Sequence, residues 1–175
     1  MSNIIAGVVR GQIPYIDEHI AQKKAIYERY RAGLADLPVS MNPIDFANSE
    51  PNYWLSCLLI DKDAMCAHVR GEKDALYISE PGKSCPTEIL DAIAAFNAEG
   101  RPIWKPMHLQ PIYRMNGFIT KSGSGRAQSN AYIRETGAED VGADIFARGL
   151  CLPSDNKMTP AEQDVVIDII HRCFR

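Results

Sequence analysis

The sequence predicts a small α+β domain, its short sheet covered by helices on one face, with a long helical arm in front. Three observations carry this. Ile13, Ile16, Ile20, Tyr27, Tyr30 and Leu34 recur at alternating three- and four-residue steps, the spacing of one helix face. Short apolar runs then alternate with amphipathic stretches in the order α-α-β-(β)-α-β-α-β-α. Val165, Val166, Ile169, Ile170, Cys173 and Phe174 finally give a clean amphipathic closing helix.

Each element has its own local reason. Ser2 suits the cap of a short helix through Val9, Gly11 interrupts it, and Pro14 fits the first turn of a second helix. The apolar stripe on that second helix is narrow, as on a helix that meets one partner helix or a neighbouring subunit. Lys23 interrupts the stripe, while Lys24, Glu28, Arg29 and Arg31 read as a solvated face. Pro38 ends the arm, which divides the chain into an arm over 1–38 and an α+β domain over 39–175.

Asn42, Pro43, Asn48, Pro51 and Asn52 mark a loop. Tyr53–Ile60 is a dense apolar run and reads as a buried strand, and Ala75–Ile78 as a short second one. Pro86 opens a helix faced by Ile89, Leu90, Ile93, Ala94 and Phe96, with Gly100 just past its end. Arg114–Asp140 is polar and reads as a loop around Lys121–Arg126, with a short helix near Ala127–Glu135. Val141–Arg148 is a further short helix and Leu150–Leu152 a strand stopped by Pro153. Thr159-Pro-Ala-Glu162 has the spacing of a capping box at the start of the last helix.

Composition narrows the function classes. A chain of 175 residues with 46% hydrophobic and 23% charged residues can bury a core. A net charge of −3 without a clustered basic face argues against nucleic acid. No apolar run is long enough to span a bilayer, and no basic region precedes an apolar run as in a signal peptide. Cys57, Cys66, Cys85, Cys151 and Cys173 lack CxxC spacing and read as free thiols of a reducing cytosol; Cys151, between two leucines, reads as a buried thiol. His19, His68, His108 and His171 are scattered without metal-site spacing, so no metal is expected.

The least ordinary stretch is Arg101-Pro-Ile-Trp-Lys-Pro-Met-His-Leu-Gln-Pro-Ile-Tyr113. Pro102, Pro106 and Pro111 bar a regular helix and a central strand. What remains is a stiff segment that presents Lys105, His108 and Gln110 at defined positions, while Trp104 and Tyr113 are expected in the core. A rigid connector with one buried Trp is the plainer alternative.

Trp104-Lys-Pro-Met-His-Leu-Gln-Pro111, followed by Arg148-Gly-Leu-Cys-Leu-Pro-Ser-Asp155, resembles the C-terminal part of the DegT/DnrJ/EryC1 family. Those are pyridoxal-phosphate-dependent aminotransferases of nucleotide-linked keto-sugars. Met1–Gln12 is similar to an internal segment of that family. The resemblance implies the small domain of a fold-type I aminotransferase, with a short, mostly antiparallel sheet. It implies pyridoxal phosphate for the complete enzyme and none bound by this chain alone. The family carries its Schiff-base lysine and its pyridinium carboxylate in a large N-terminal domain, and the chain begins after both. None of Lys23, Lys24, Lys62, Lys73, Lys83, Lys105, Lys121 and Lys157 sits in the family's Ser-Phe-Asn-x-x-Lys context.

The expectation is therefore a substrate-facing portion with no catalytic residue of its own and no activity in isolation. His108, Lys105 and Gln110 are the candidates for sugar-nucleotide contact: an imidazole can donate to hydroxyl or phosphate, and a lysine offers a point charge to a diphosphate. Arg148 either contacts substrate or caps carbonyls of the preceding helix. Expected partners are the nucleotide sugar of the complete enzyme and either a second copy or a chain carrying the cofactor domain, in the cytoplasm. The alternative is a non-catalytic binding or assembly module that dimerises through the arm.

Overall fold

The computed structural model describes residues 2–45, 47–70, 75–113, 117–119, 126–128 and 140–175. Helix α1 (Asn3–Gln12) starts at Ser2, whose hydroxyl accepts from the Ile5 N–H at 3.3 Å. Gly11 does not interrupt it. A mid-helix glycine costs only about 1 kcal/mol, and the break comes instead at the single 3₁₀ turn Ile13–Tyr15 around Pro14, which has no N–H to extend the ladder. Helix α2 (Ile16–Gly33) ends ahead of Pro38, with the Leu34 N–H on the Tyr30 carbonyl.

The main sheet has the order β1-β2-β8-β5, every neighbouring pair antiparallel. Its strands are β1 (Val39–Met41), β2 (Cys57–Ile60), β8 (Gly149–Cys151) and β5 (Arg101–Pro102). Two further ribbons pair β3 (His68–Arg70) with β4 (Ala75–Tyr77), and β6 (Gly117–Ile119) with β7 (Arg126–Gln128). The remaining helices are α3 (Pro86–Ala95), α4 (Val141–Arg148) and α5 (Pro160–Cys173).

Alternation along a strand sends successive side chains to opposite faces. Leu58, Ile60, Leu150 and Leu152 share one core with Ile26, Tyr30 and Leu34 of α2, Ile89 and Ile93 of α3, and Val166, Ile169 and Ile170 of α5. Cys57 and Cys151, opposed in register, alternate to the other face. The fold is thus the α+β class expected, a short antiparallel sheet backed by helices behind a long N-terminal helical run.

Several local expectations are corrected. β2 begins at Cys57, not Tyr53. Asn52 Oδ1 accepts the Trp54 N–H at 3.1 Å, Tyr53 has a φ of 54°, and that left-handed turn keeps Trp54 out of the strand. The chain leaves α3 through Asn97, at φ 58°, so the left-handed position falls to Asn97 rather than Gly100. Gly100 serves close approach instead: a Cβ there would lie 2.8 Å from Leu90 Cδ2 and 3.1 Å from the Cys151 carbonyl. Phe96 lies exposed beyond the buried face of α3. Ile13 and Ile16 are exposed, while Tyr27, Tyr30 and Leu34 of the same stripe are buried. The helix expected near 127–135 lies outside the described residues, apart from Ala127 and Gln128 in β7. The capping box is present, with Thr159 Oγ1 accepting from the Glu162 N–H and the Glu162 carboxylate accepting from the Thr159 N–H.

Candidate functional site

The proline-rich segment leaves β5 and folds into two consecutive 3₁₀ turns, Met107–Leu109 and Pro111–Tyr113. It is pinned to the start of α4. His108 Nε2 lies 2.6 Å from Asp140 Oδ2, and a Cβ added at Gly142 would meet Pro106 Cγ at 3.4 Å. Asp140 does two jobs at once: its other oxygen accepts the Ala143 N–H at 2.9 Å and caps α4. An ionised carboxylate only accepts, so Nε2 carries the hydrogen in that contact. Both side chains are about four-fifths shielded, with relative exposures of 18% and 20%. The imidazole is therefore held in one orientation rather than free to sweep.

Gln110 Nε2 donates to the Lys105 carbonyl at 3.3 Å, which closes the turn around His108. Lys105 is half-buried beside it. Arg148 is engaged elsewhere. Its Nε donates to Asp144 Oδ1 at 3.0 Å and Nη2 to Oδ2 at 2.6 Å, a bidentate pair one helical turn apart, and Nη1 donates to the Ile60 carbonyl at the end of β2. Contrary to the capping alternative, the carbonyl it meets belongs to a strand and not to its own helix. The guanidinium hydrogen bonds hold the Asp144 carboxyl below the usual carboxylate range, Lys62 at 3.7 Å adding to the effect, and Arg148 is raised in return.

Trp104, next to Lys105 in the chain, lines a cleft of about 580 Å³ together with Trp54, Arg101, Cys151, Lys23 and Ser154, among others. Trp104 is not in the core: it is 62% exposed, and Trp54 is 65% exposed. Their ring centroids are 5.8 Å apart at 35°, a tilted pair that gives the cleft an aromatic wall. Tyr113 is exposed as well. Lys23 reaches the cleft from α2, its amine donating to the Ser154 carbonyl.

The structure therefore groups Lys105, His108 and Gln110 on one turn and sets Arg148 apart from them. It adds Asp140, Trp54 and Arg101, which the sequence reading missed. Asp140 carried a readable signal as a cap before Val141, but its pairing with a histidine 32 residues away did not. Trp54 hid inside an apolar run that looked like continuous strand.

Solved aminotransferases share this architecture. The structure matches the pyridoxal-phosphate form of Spr1654 from Streptococcus pneumoniae, named as a sugar aminotransferase, with a TM-score of 0.67 and 16% identity over 100% of this chain and 37% of that one. It matches DesI, solved in the presence of its TDP-sugar product, with a TM-score of 0.62 and 19% identity over 93% of this chain and 33% of that one. The chain belongs to the DegT/DnrJ/EryC1/StrS aminotransferase family, whose profile matches residues 1–171. EpsN of Bacillus subtilis (strain 168), named as a pyridoxal phosphate-dependent aminotransferase, is 30% identical over 174 residues, 99% of this chain and 36% of EpsN. The chain thus spans about a third of the length of these relatives.

The described residues do not fit the covalent anchoring of pyridoxal phosphate. A Schiff-base lysine is activated by desolvation or by a cationic neighbour. Lys23 donates to a carbonyl, and Lys62 and Lys83 pair with carboxylates. Lys24 and Lys157 are exposed, and Lys105 is half-buried. None of these six is buried.

Proposed function

We propose that this chain supplies the substrate-facing, dimer-forming portion of a pyridoxal-phosphate-dependent aminotransferase that acts on nucleotide-linked keto-sugars in surface-polysaccharide or glycan biosynthesis. Family membership gives the reaction class. The observation that carries the site is the turn Lys105–Gln110, where His108 is held by Asp140 and Lys105 and Gln110 stand on either side of it. A preoriented imidazole and an ammonium suit the hydroxyls and phosphates of a sugar nucleotide. Arg148 acts in this reading as a positioning residue, through β2 and Asp144. The likeness to DesI supports the substrate class, since that protein was solved with a TDP-sugar product.

In this reading the arm 1–38 is the interface element, 39–175 is the small domain, and the cofactor's lysine belongs to another part of the active enzyme. The 175-residue chain alone then has no transaminase activity and forms no stable lysine adduct. Titration of the purified chain with pyridoxal phosphate, followed by borohydride and peptide mapping, tests this. The expected result is no single trapped lysine, and stoichiometric trapping at one lysine overturns it. Binding of a TDP-sugar, measured by calorimetry on wild type and His108→Ala, tests the site: affinity should fall by about tenfold or more, as for a lost charge-assisted hydrogen bond.

A second reading is favoured by a separate observation. Ile4, Ile5, Val8, Val9 and Ile13 are all exposed on the arm, as on an assembly module that dimerises through that face. Sedimentation decides it, a strict monomer at high concentration counting against the module.

A further inference from the structure

The five cysteines are free thiols and Cys151 is buried, as expected, but the sheet register sets two of them face to face. Cys57 of β2 lies directly opposite Cys151 of β8, and the two Sγ atoms are 3.8 Å apart. The pair occupies a non-hydrogen-bonded position of the ladder. Leu152 N–H donates to the Ser56 carbonyl on one side of it, so the ladder bonds fall at the flanking positions. Cys57's own N–H and C=O turn the other way, to Asn42 Oδ1 at 3.0 Å and to the Asn42 N–H at 2.9 Å. At such positions the Cα atoms approach to about 4.5 Å and the side chains come closest, inside the span of about 4.4–6.8 Å that a disulfide bridges. Both cysteines sit on the sheet face away from the core shared by α2, α3 and α5, and Cys151 lines the aromatic cleft.

We propose that Cys57 and Cys151 form a reversible dithiol–disulfide site, oxidised by low-molecular-weight disulfides that enter through the Trp54–Trp104 cleft. The chemistry balances as two exchanges. The Cys151 thiolate attacks one sulfur of the incoming disulfide, that S–S bond breaks, and one thiolate leaves and takes a proton. Cys57, its proton released to solvent, then attacks Cys151 Sγ. The new Cys57–Cys151 bond forms and the second thiolate leaves. Two protein thiols are oxidised and one small disulfide is reduced to two thiols. The thiols are unequal in the right sense: the Sγ–Sγ contact draws Cys151 below the usual cysteine value, while that contact and burial hold Cys57 above it. Cys151 also lines the cleft, as Cys57 does not, so Cys151 is the attacking sulfur and Cys57 the resolving one.

The other close cysteines are less well placed. Cys66 and Cys85 are not among the residues that line the cleft, and Cys85 Sγ already accepts the Glu88 N–H at the cap of α3. Closing the outer pair brings the sulfurs from 3.8 Å to about 2.05 Å. β8 runs on into Leu152, Pro153 and Ser154 of the cleft wall, so the closure should register at the two tryptophans.

The test uses the 175-residue chain equilibrated with oxidised glutathione, quenched by alkylation and mapped by mass spectrometry without reduction. Wild type should yield one cross-linked peptide pair, Cys57 with Cys151, with a change in tryptophan emission, both reversed by excess reduced glutathione. In Cys57→Ser the resolving sulfur is gone, so Cys151 should stop at a stable glutathione adduct and the cross-link should fall from most of the protein to none. Full alkylation of both cysteines in wild type overturns the proposal. So does a lasting Cys151–glutathione adduct in wild type, or a cross-link that forms first between any other two cysteines.

Discussion

The helical run from Asn3 to Gly33 holds two regions of similar apolar content and opposite burial. Helix α1 buries nothing, and Val8 is 63% exposed. The second half of α2 buries Ile26, Tyr27 and Tyr30, with Ile26 only 4% exposed. It is also tied down by polar groups that all reach across the fold. Gln163 Nε2 donates to the Ile26 carbonyl at 2.9 Å, Tyr30 Oη to the Pro153 carbonyl at 2.8 Å, and Arg29 forms a bidentate pair with Asp164. His171 Nε2 sits 2.9 Å from the Gly33 carbonyl. Helical periodicity announces that a face exists. Whether that face is covered depends on long-range partners such as α5, which local spacing does not encode.

The comparison can be broken most sharply by paired truncations. Ile26→Ala should cost about 2–5 kcal/mol in urea unfolding, the range for a large side chain removed from a packed core. Ile5→Ala, on the exposed arm, should stay within about 0.5 kcal/mol. Equal losses would mean that the arm is packed in solution.

A second test probes the tie between α4 and the sheet. Asp144→Asn removes the anionic partner of Arg148, and the expected loss is about 1.5–3 kcal/mol at pH 7, the range for hydrogen bonds to charged groups. The sign with pH follows from the direction of the shift. The folded state lowers the Asp144 pKa, so the stabilisation is complete above the unfolded carboxylate value and is lost as pH falls through the folded one. The gap between wild type and variant, followed by urea melts from pH 7 down to pH 3, should therefore narrow with acid. A constant gap would show that packing, not charge, ties the pair.

Much of the fold was legible because it rests on local chemistry. Ser2, Pro86 and Thr159 each mark a helix start through a cap or a missing N–H. The errors share a different cause. Tyr53 and Trp54 belong by composition to the strand that follows, yet one hydrogen bond from the Trp54 N–H to the Asn52 side chain turns the chain before it begins. At the site, the stiffness of the proline segment was readable from three prolines, and so was its cargo of Lys105, His108 and Gln110. The partner that orients His108 was not, because Asp140 arrives from beyond a long polar stretch. The facing of Cys57 and Cys151 was equally hidden, since register is a property of two strands together.

A smaller effect sharpens the comparison from the packed side. Tyr30→Phe keeps the ring and removes only the hydroxyl that donates to the Pro153 carbonyl, so the expected loss is about 0.5–1.5 kcal/mol. Burial holds the Tyr30 phenol above the ordinary tyrosine value. A spectrophotometric titration should therefore show this phenol ionising later than the exposed tyrosines, and one late-ionising phenol should be lost in the variant.

The smallest expected effect on stability is the most informative about the arm. Val8→Ser lies where no neighbour is displaced, so urea melts at low protein concentration should agree with wild type within about 0.5 kcal/mol. If the exposed face of α1 is an interface between copies, the same change weakens association through lost apolar burial. One methyl-bearing side chain per protomer, counted twice in a two-fold dimer, is worth about 1–3 kcal/mol, or roughly a five- to 150-fold rise in the dimer dissociation constant by sedimentation. A matching change at Ile26, buried in the core, should instead show in the urea melt. The pair of measurements thus separates a face that holds the fold together from a face that holds two folds together, and an unchanged dissociation constant in Val8→Ser would place the interface elsewhere.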